Sequence, residues 1–266
     1  MKNSIAEFDL SRPIGIIEQA TTELSNKAFA VIAGQDLFST LNIASEQWSS
    51  FASTWGRLTL DQYMADQGLY RFRRYGEFRY CAKAESFERM PHSPYVQPLD
   101  VNPLNGDIER LFDPLESTFT ESPVLRAVLH AMASIYNRVD GIESDWNVRL
   151  HPYRIVGSAN HNGKPTPEGL HRDGVTYIAS MLISRSNITG GQTRLTSNLG
   201  EPITVLELKN PMDLLIADDA GTMHEVSEIS PRDAHHPAYR DVLVIAFTRL
   251  TQEQGDQEGK GIRDEG

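Results

Sequence analysis

Cysteine is almost missing from this chain: among 266 residues, Cys81 stands alone. A single thiol forms no intrachain disulfide and cannot build a zinc site from several thiolates. Any metal held here must therefore be bound through nitrogen and oxygen. Cations are also scarce. Lys and Arg number 25 against 36 Asp and Glu, a formal net charge of −11, which disfavours an extended phosphate-binding surface and hence a nucleic-acid partner. The chain has no run of roughly 18 or more apolar residues, and its opening residues, MKNSIAEFDL, lack the basic region and apolar stretch of a secretory signal. These absences lead to the expectation of a cytoplasmic protein without a membrane partner.

What is present fits an ordinary globular domain. Hydrophobic residues make up 39% and charged residues 23%, too apolar for disorder and sufficient for one substantial core. In the first 65 residues, EQATTELSN and the stretch 37–55 carry apolar groups at three- and four-residue spacings, the mark of a helical layer. The run YRFRRYGEFRYCA alternates aromatic and basic residues before Gly76 interrupts it, predicting two short strands around a turn. Residues 91–107 hold four prolines and form an irregular connection, and PVLRAVLHAMASIYNRV over 123–139 is the strongest amphipathic helix, opened by Pro123. His130 lies inside that helix and is read as a packing or surface histidine.

After residue 145 the texture changes. WNVRLHPYRIV, GVTYIASMLIS, QTRLTS, ITVLEL, DLLIAD and DVLVIAFTRL are β-branched runs separated by Gly, Pro, Asn and Asp, which predicts an antiparallel sandwich or barrel. The segment 251–266, TQEQGDQEGKGIRDEG, has no periodic apolar residue and is expected to be a flexible polar tail. The expected organisation is one domain over 1–250, with a helical and mixed flanking layer over 1–145 and a β core over 146–250.

Candidate chemistry begins at EGLHRDGVTY. On an extended strand residues i and i+2 share a face, so His171 and Asp173 are expected to converge on one small object, with Arg172 pointing away. His224 follows an apolar run and a Gly-containing turn in DLLIADDAGTMHEV. If the two segments are neighbours, His171, Asp173 and His224 occupy three corners of one coordination sphere. Two histidines and a carboxylate with open opposite positions are the ligand set of non-heme Fe(II) oxygenases. Arg240 opens the apolar run RDVLVIAFTRL, and a buried guanidinium needs an anion that matches its planar fork. That anion is either a cosubstrate carboxylate or the neighbouring Asp241.

Taken in order, HRD at 171–173, the GG of TGGQT at 190–191, His224 and YRDVLV at 239–244 resemble the bacterial Fe(II)/2-oxoglutarate-dependent dioxygenase family of free L-amino acid hydroxylases, which includes L-isoleucine 4-hydroxylase. The resemblance covers residues 147–250, with weaker echoes in YRFRRYGEFRY and in RLFDPL at 110–115. It implies an α+β chain with a mainly β core, a double-stranded β-helix of the jelly-roll or cupin-like kind with N-terminal flanking helices. It also implies Fe(II) on His171, Asp173 and His224, 2-oxoglutarate as cosubstrate with its distal carboxylate on Arg240, and O2. Many members place a Ser two residues after this Arg, where this chain has Val242; Thr193, Tyr177 or Thr248 would then supply the second hydrogen bond. Related halogenases have a small residue at the carboxylate position, so Asp173 favours hydroxylation.

The remaining candidates are bland or paired. Gly190 and Gly191 are expected to make a hairpin turn, and His92, His161, His235 and His236 to be solvated. In RLHPYRI the alternation puts His151 and Tyr153 on one face and Arg154 on the other. An amino acid substrate requires an anion for its ammonium and a cation for its carboxylate, and Glu168 and Arg154 are the candidates. Two readings from other classes stay open: a non-redox metal-dependent cupin-type isomerase, in which Arg240 is structural, and a ligand-binding protein on the same scaffold.

Overall fold

The computed structural model describes residues 15–99 and 106–250; the expected polar tail at 251–266 lies outside the described residues. The chain opens with α1 (Ile16–Lys27), β1 (Phe29–Ile32), α2 (Gly34–Thr40), α3 (Ser45–Ser53), β2 (Thr59–Leu60), β3 (Arg71–Arg73), β4 (Gly76–Cys81) and β5 (Ser86–Arg89). Then come α4 (Ser117–Thr120), α5 (Pro123–Asp140), β6 (Trp146–Gly157), β7 (Tyr177–Ser186), β8 (Ile188–Gly190) and β9 (Thr193–Ser197). The last strands are β10 (Pro202–Leu206), β11 (Leu214–Asp218), β12 (Thr222–Val226), β13 (Ile229–Pro231) and β14 (Ala238–Arg249).

The core is mainly β. A nine-stranded sheet runs β1-β11-β7-β14-β6-β3-β2, with β4 joined to β6 and β5 to β4, and a three-stranded sheet runs β10-β9-β12. Both faces of the large sheet are covered, and the period-two alternation of its central strands divides them. Val148, Leu150, Met181, Ile183, Leu243, Ile245 and Phe247 point outward to α1, α3 and α5, where they meet Leu24, Phe51, Leu125, Val128 and Met132. Leu182, Leu215 and Val242 point the other way and meet Leu195 of β9. Side chains of this size contribute about 1.5–3 kcal/mol each when fully buried, so the helical layer and the second sheet both hold the large sheet in place.

The helix α5 begins as its sequence predicts, with Pro123 in the first turn, and ends at Gly141, which adopts φ 68°. His130 packs edge-on to Phe87, ring centroids 5.0 Å apart, as a packing histidine.

Two features differ from the sequence reading. Five strands of the first 145 residues join the large sheet, and three of them, FAVI in β1, TL in β2 and SFER in β5, are too short to show a period. The HRD segment is also not a strand. Only His171 is bridged, to His224, by backbone hydrogen bonds of 3.0 and 2.9 Å; the chain then turns through Gly174 at φ 73°.

Candidate active site

His171, Asp173 and His224 each offer one ligand atom, and the three atoms lie within 4.8 Å of one another. The bridge between β12 and residue 171 brings the imidazoles together, ring centroids 4.5 Å apart. Asp173 arrives by a different device. The buried carboxylate of Asp219, only 2% exposed, accepts the backbone N–H of Asp173, Gly174 and Val175 at 2.9, 2.8 and 3.0 Å. This clamp turns the chain after His171 so that the Asp173 side chain faces the two rings. Sequence reasoning missed Asp219 because DDAG reads as a turn, with nothing to separate Asp219 from Asp218.

The tautomer of His171 is set by its surroundings. Its Nδ1–H donates to the Gly169 carbonyl at 2.8 Å, which leaves Nε2 with a lone pair. Burial, and after it the neighbouring His171, pushes the His224 imidazole down to about 3, so its ring is neutral and offers a lone pair too. Burial raises the Asp173 carboxyl above its ordinary value, with His171 opposing. The Oδ2 of Asp173 is buried without a hydrogen-bond partner and stands 3.5 Å from His224 Nε2. With both rings neutral, three lone pairs converge, which is the donor set a divalent transition metal fits.

A second orphan lies deeper. Arg240 is 2% exposed, and its Nε and Nη2 are buried without partners. Burial, and then the like charge of Arg185, lowers its pKa to about 10, with Glu207 opposing; the guanidinium still carries its charge at neutral pH. Asp241 does not satisfy it. Adjacent residues on β14 face opposite ways, and Asp241 stands opposite Arg154 in the register of β6. The two form a bidentate pair, Nε to Oδ1 and Nη2 to Oδ2, both 2.7 Å. Ser184 adds a hydroxyl bond of 2.9 Å to the same carboxylate.

That pair corrects the expectation for Arg154. Its guanidinium is committed to Asp241 and lies over the Tyr239 ring at 4.5 Å, on the face away from the cavity. The cavity itself is lined by the triad, Arg240, Thr193 and Glu168, with Arg71, Tyr95, Arg149, His151 and Tyr153 along one wall. Of the three hydroxyls considered for the second bond to a cosubstrate, only Thr193 is there, and its Oγ1 is buried without a partner. Tyr177 instead donates to Asp140 at 2.7 Å and stacks on Tyr136. Thr248 does not line the cavity.

The glycine pair does not make the expected hairpin, because β8 pairs with β13 while β9 pairs with β10 and β12. Gly190 and Gly191 have φ of 79° and 76°, and a Cβ at Gly191 would stand 3.1 Å from Cδ of Arg240. Gly191 thus gives the buried arginine its room.

Comparison with known proteins agrees with this geometry. A family model described as 2OG-Fe dioxygenase matches residues 52–246. The 3(1)-hydroxy-L-isoleucine 4-dioxygenase of Pantoea ananatis (strain AJ13355) is 26% identical over 241 residues, 86% of this chain and 94% of that protein. A bsmA homologue from Methylobium petroleophilum PM1 superposes with a TM-score of 0.81 at 30% identity, over 90% of this chain and 95% of that one. IDO from Bacillus thuringiensis shares the fold, with a TM-score of 0.72 at 18% identity over 88% and 96% of the two chains.

Fold and site together define a non-heme iron dioxygenase that uses 2-oxoglutarate and O2. The chain belongs to the 2OG-Fe dioxygenase family. The isomerase and ligand-binding readings are thereby set aside.

Proposed function

We propose that this enzyme hydroxylates an unactivated C–H of a small aliphatic free L-amino acid. The observation that carries the reading is the composition of the cavity beside the triad. Charged groups of both signs, Arg71 and Glu168, share it with an apolar surface of Val175, Ile178, Ala217, Val244 and Ala246. A free amino acid is the small molecule that needs both. The Pantoea relative, whose name gives a hydroxylated isoleucine as its substrate, supports the same class.

In this reading the two sheets form a double-stranded β-helix over 146–250, and residues 1–250 act as one catalytic unit. His171, Asp173 and His224 hold Fe(II), and Asp173 keeps the carboxylate corner filled, which favours hydroxylation. Iron supplies the activation of O2 that allows an unactivated C–H to be attacked. One oxygen atom enters succinate as 2-oxoglutarate loses CO2, and the other enters the product as hydroxyl. Arg240 orients the cosubstrate by its distal carboxylate, with Thr193 donating the hydroxyl bond that Val242 cannot. A ferrous ion and a lone cysteine both suit a reducing compartment, and we place the enzyme in the cytoplasm.

The test is anaerobically prepared Fe(II) protein offered 2-oxoglutarate, O2 and a panel of free L-amino acids, with succinate and oxygenated product followed by mass spectrometry. Isoleucine, leucine or methionine is expected to yield one hydroxylated product per succinate. Faster hydroxylation of a peptide, an N-acyl amino acid or a non-amino-acid metabolite than of every free amino acid would overturn the reading.

A further inference from the structure

We propose that Arg71 and Glu168 hold the two charged ends of the substrate, Arg71 taking the carboxylate and Glu168 the ammonium. The inference rests on the amino acid reading above and supplies the residues that reading needs in place of Arg154.

Arg71 is a buried cation with donors to spare. It stands on β3 opposite Ile155, is 8% exposed and lines the cavity. One carboxylate oxygen, Asp61 Oδ2, takes both its Nε and its Nη2, each at 2.8 Å. The other oxygen of Asp61 is occupied by the Tyr63 backbone N–H at 2.9 Å. Asp61 therefore fixes one edge of the guanidinium plane, and the other edge remains available as a two-pronged donor that matches a carboxylate.

The local charge count points the same way. Arg73 also reaches Asp61, at 3.9 Å, so one anion serves two buried cations. Arg73 turns elsewhere: its guanidinium lies 3.7 Å from the Phe112 ring centroid and bonds His151 Nδ1, and it does not line the cavity. Burial works against the charge on Arg71, but its surroundings, Asp61 and Glu168 among them, hold it firmly protonated. A second anion at Arg71 would balance the cluster.

Glu168 faces the same space and is close to the metal ligands. Its Oε1 lies 3.3 Å from Nε2 of His171, the atom that the Gly169 bond leaves as a lone pair. Among the described residues no Lys or Arg stands within salt-bridge distance of Glu168. Arg71 and Glu168 line one cavity and yet form no ion pair with each other. A zwitterion whose two charges hang on a single carbon fits between such groups, and its side chain is then directed along the apolar surface toward the metal. Held by both ends, the substrate has one orientation, which is what selection of a single C–H requires.

The experiment is calorimetric binding to anaerobic protein loaded with Fe(II) and 2-oxoglutarate. The probes are L-isoleucine, L-leucine and L-methionine, each as free amino acid, methyl ester and N-acetyl derivative. The wild-type protein is expected to prefer a free amino acid over both derivatives by about 10- to 100-fold, the effect of one charge-assisted pair. Arg71→Gln should lose the preference over the ester and keep that over the N-acetyl form; Glu168→Gln should do the reverse. Arg71→Lys, which keeps a cation for Asp61, guards against a folding defect and should retain part of the preference over the ester. This crossed pattern does not arise from general loosening of the site. Binding of a free amino acid with both preferences unchanged in the variants, or lost together in each, overturns the clamp alone. No binding of any free amino acid to the wild-type protein overturns the amino acid reading with it.

Discussion

Replacing Asp219 by Ala removes a carboxylate that touches neither metal nor substrate, and it is expected to disable the site all the same. Three backbone N–H groups lose their acceptor at once. A bond to a charged acceptor contributes about 1.5–3 kcal/mol, but the three share one carboxylate whose burial is itself unfavourable, since desolvation pushes its pKa up and Asp173 adds to the effect. Water can also reach part of the exposed turn. A net loss of about 2–4 kcal/mol is therefore expected, which for a domain of this size lowers Tm by about 4–16 °C. With the turn released, Asp173 no longer faces the imidazoles, and metal affinity should fall by about 10- to 100-fold. Thermal unfolding of the metal-free protein and anaerobic Fe(II) titration measure the two effects. Asp219→Asn, which keeps one acceptor oxygen, should fall between wild type and Ala in both. Wild-type metal affinity in Asp219→Ala would refute the claim that this residue positions Asp173.

Arg240→Lys keeps the charge and loses the fork, so the KM for 2-oxoglutarate should rise about tenfold or more; an unchanged KM would return Arg240 to a structural role. Thr193→Val removes a buried hydroxyl without a protein partner, so the KM for 2-oxoglutarate should rise about 2- to 10-fold while Tm stays level or increases, and a lowered Tm would contradict this. Burial holds His130, His151 and His224 below their ordinary pKa, in His151 with help from nearby arginines, whereas His171 is raised by Asp173 and Glu168 against burial. A lowered imidazole is neutral when folded and takes a proton when unfolded, so its stabilisation is complete above pH ~6.5 and declines below it. His151 and His224 are shifted furthest, and their effect should outweigh the opposing one of His171 and of the raised carboxyls of Asp173 and Asp219, so Tm of the metal-free protein should fall between pH 7 and pH 5, and a rise would reverse the sign of the argument.

The metal ligands and Arg240 were legible because each is a polar group breaking into a β-rich segment at a recognisable place. Alternation also held the answer for Arg154 and Asp241: both belong to the phase opposite to His151 and Arg240, and the register of β6 and β14 simply brings them together. Arg71 was hidden for the contrary reason. In the strand RFR the aromatic Phe72 invites the inward phase, but Arg71 and Arg73 are its buried residues, because Asp61 and the Tyr153 ring receive both and Arg71 reaches the cavity. Asp219 and Gly191 depend on contacts across 46 and 49 residues, distances at which local pattern carries no information.

The strand that carries Arg240 comes later in the chain than both of its neighbours, yet β14 lies between β6 and β7 and pairs with each along most of its length. Until it arrives, those two strands have bare inner edges, and closing the sheet means joining segments more than fifty residues apart, a topology that folds slowly. The late strand contains VLVIAF, an apolar β-rich window of the kind that self-associates while it waits for its place. Arg240 and Asp241 precede that window and Arg249 follows it, so charges bracket this sticky segment. Before the sheet closes, Arg240 is thus a charge at the edge of an aggregation-prone window, the kind of flanking residue that disfavours self-association of unfolded chains.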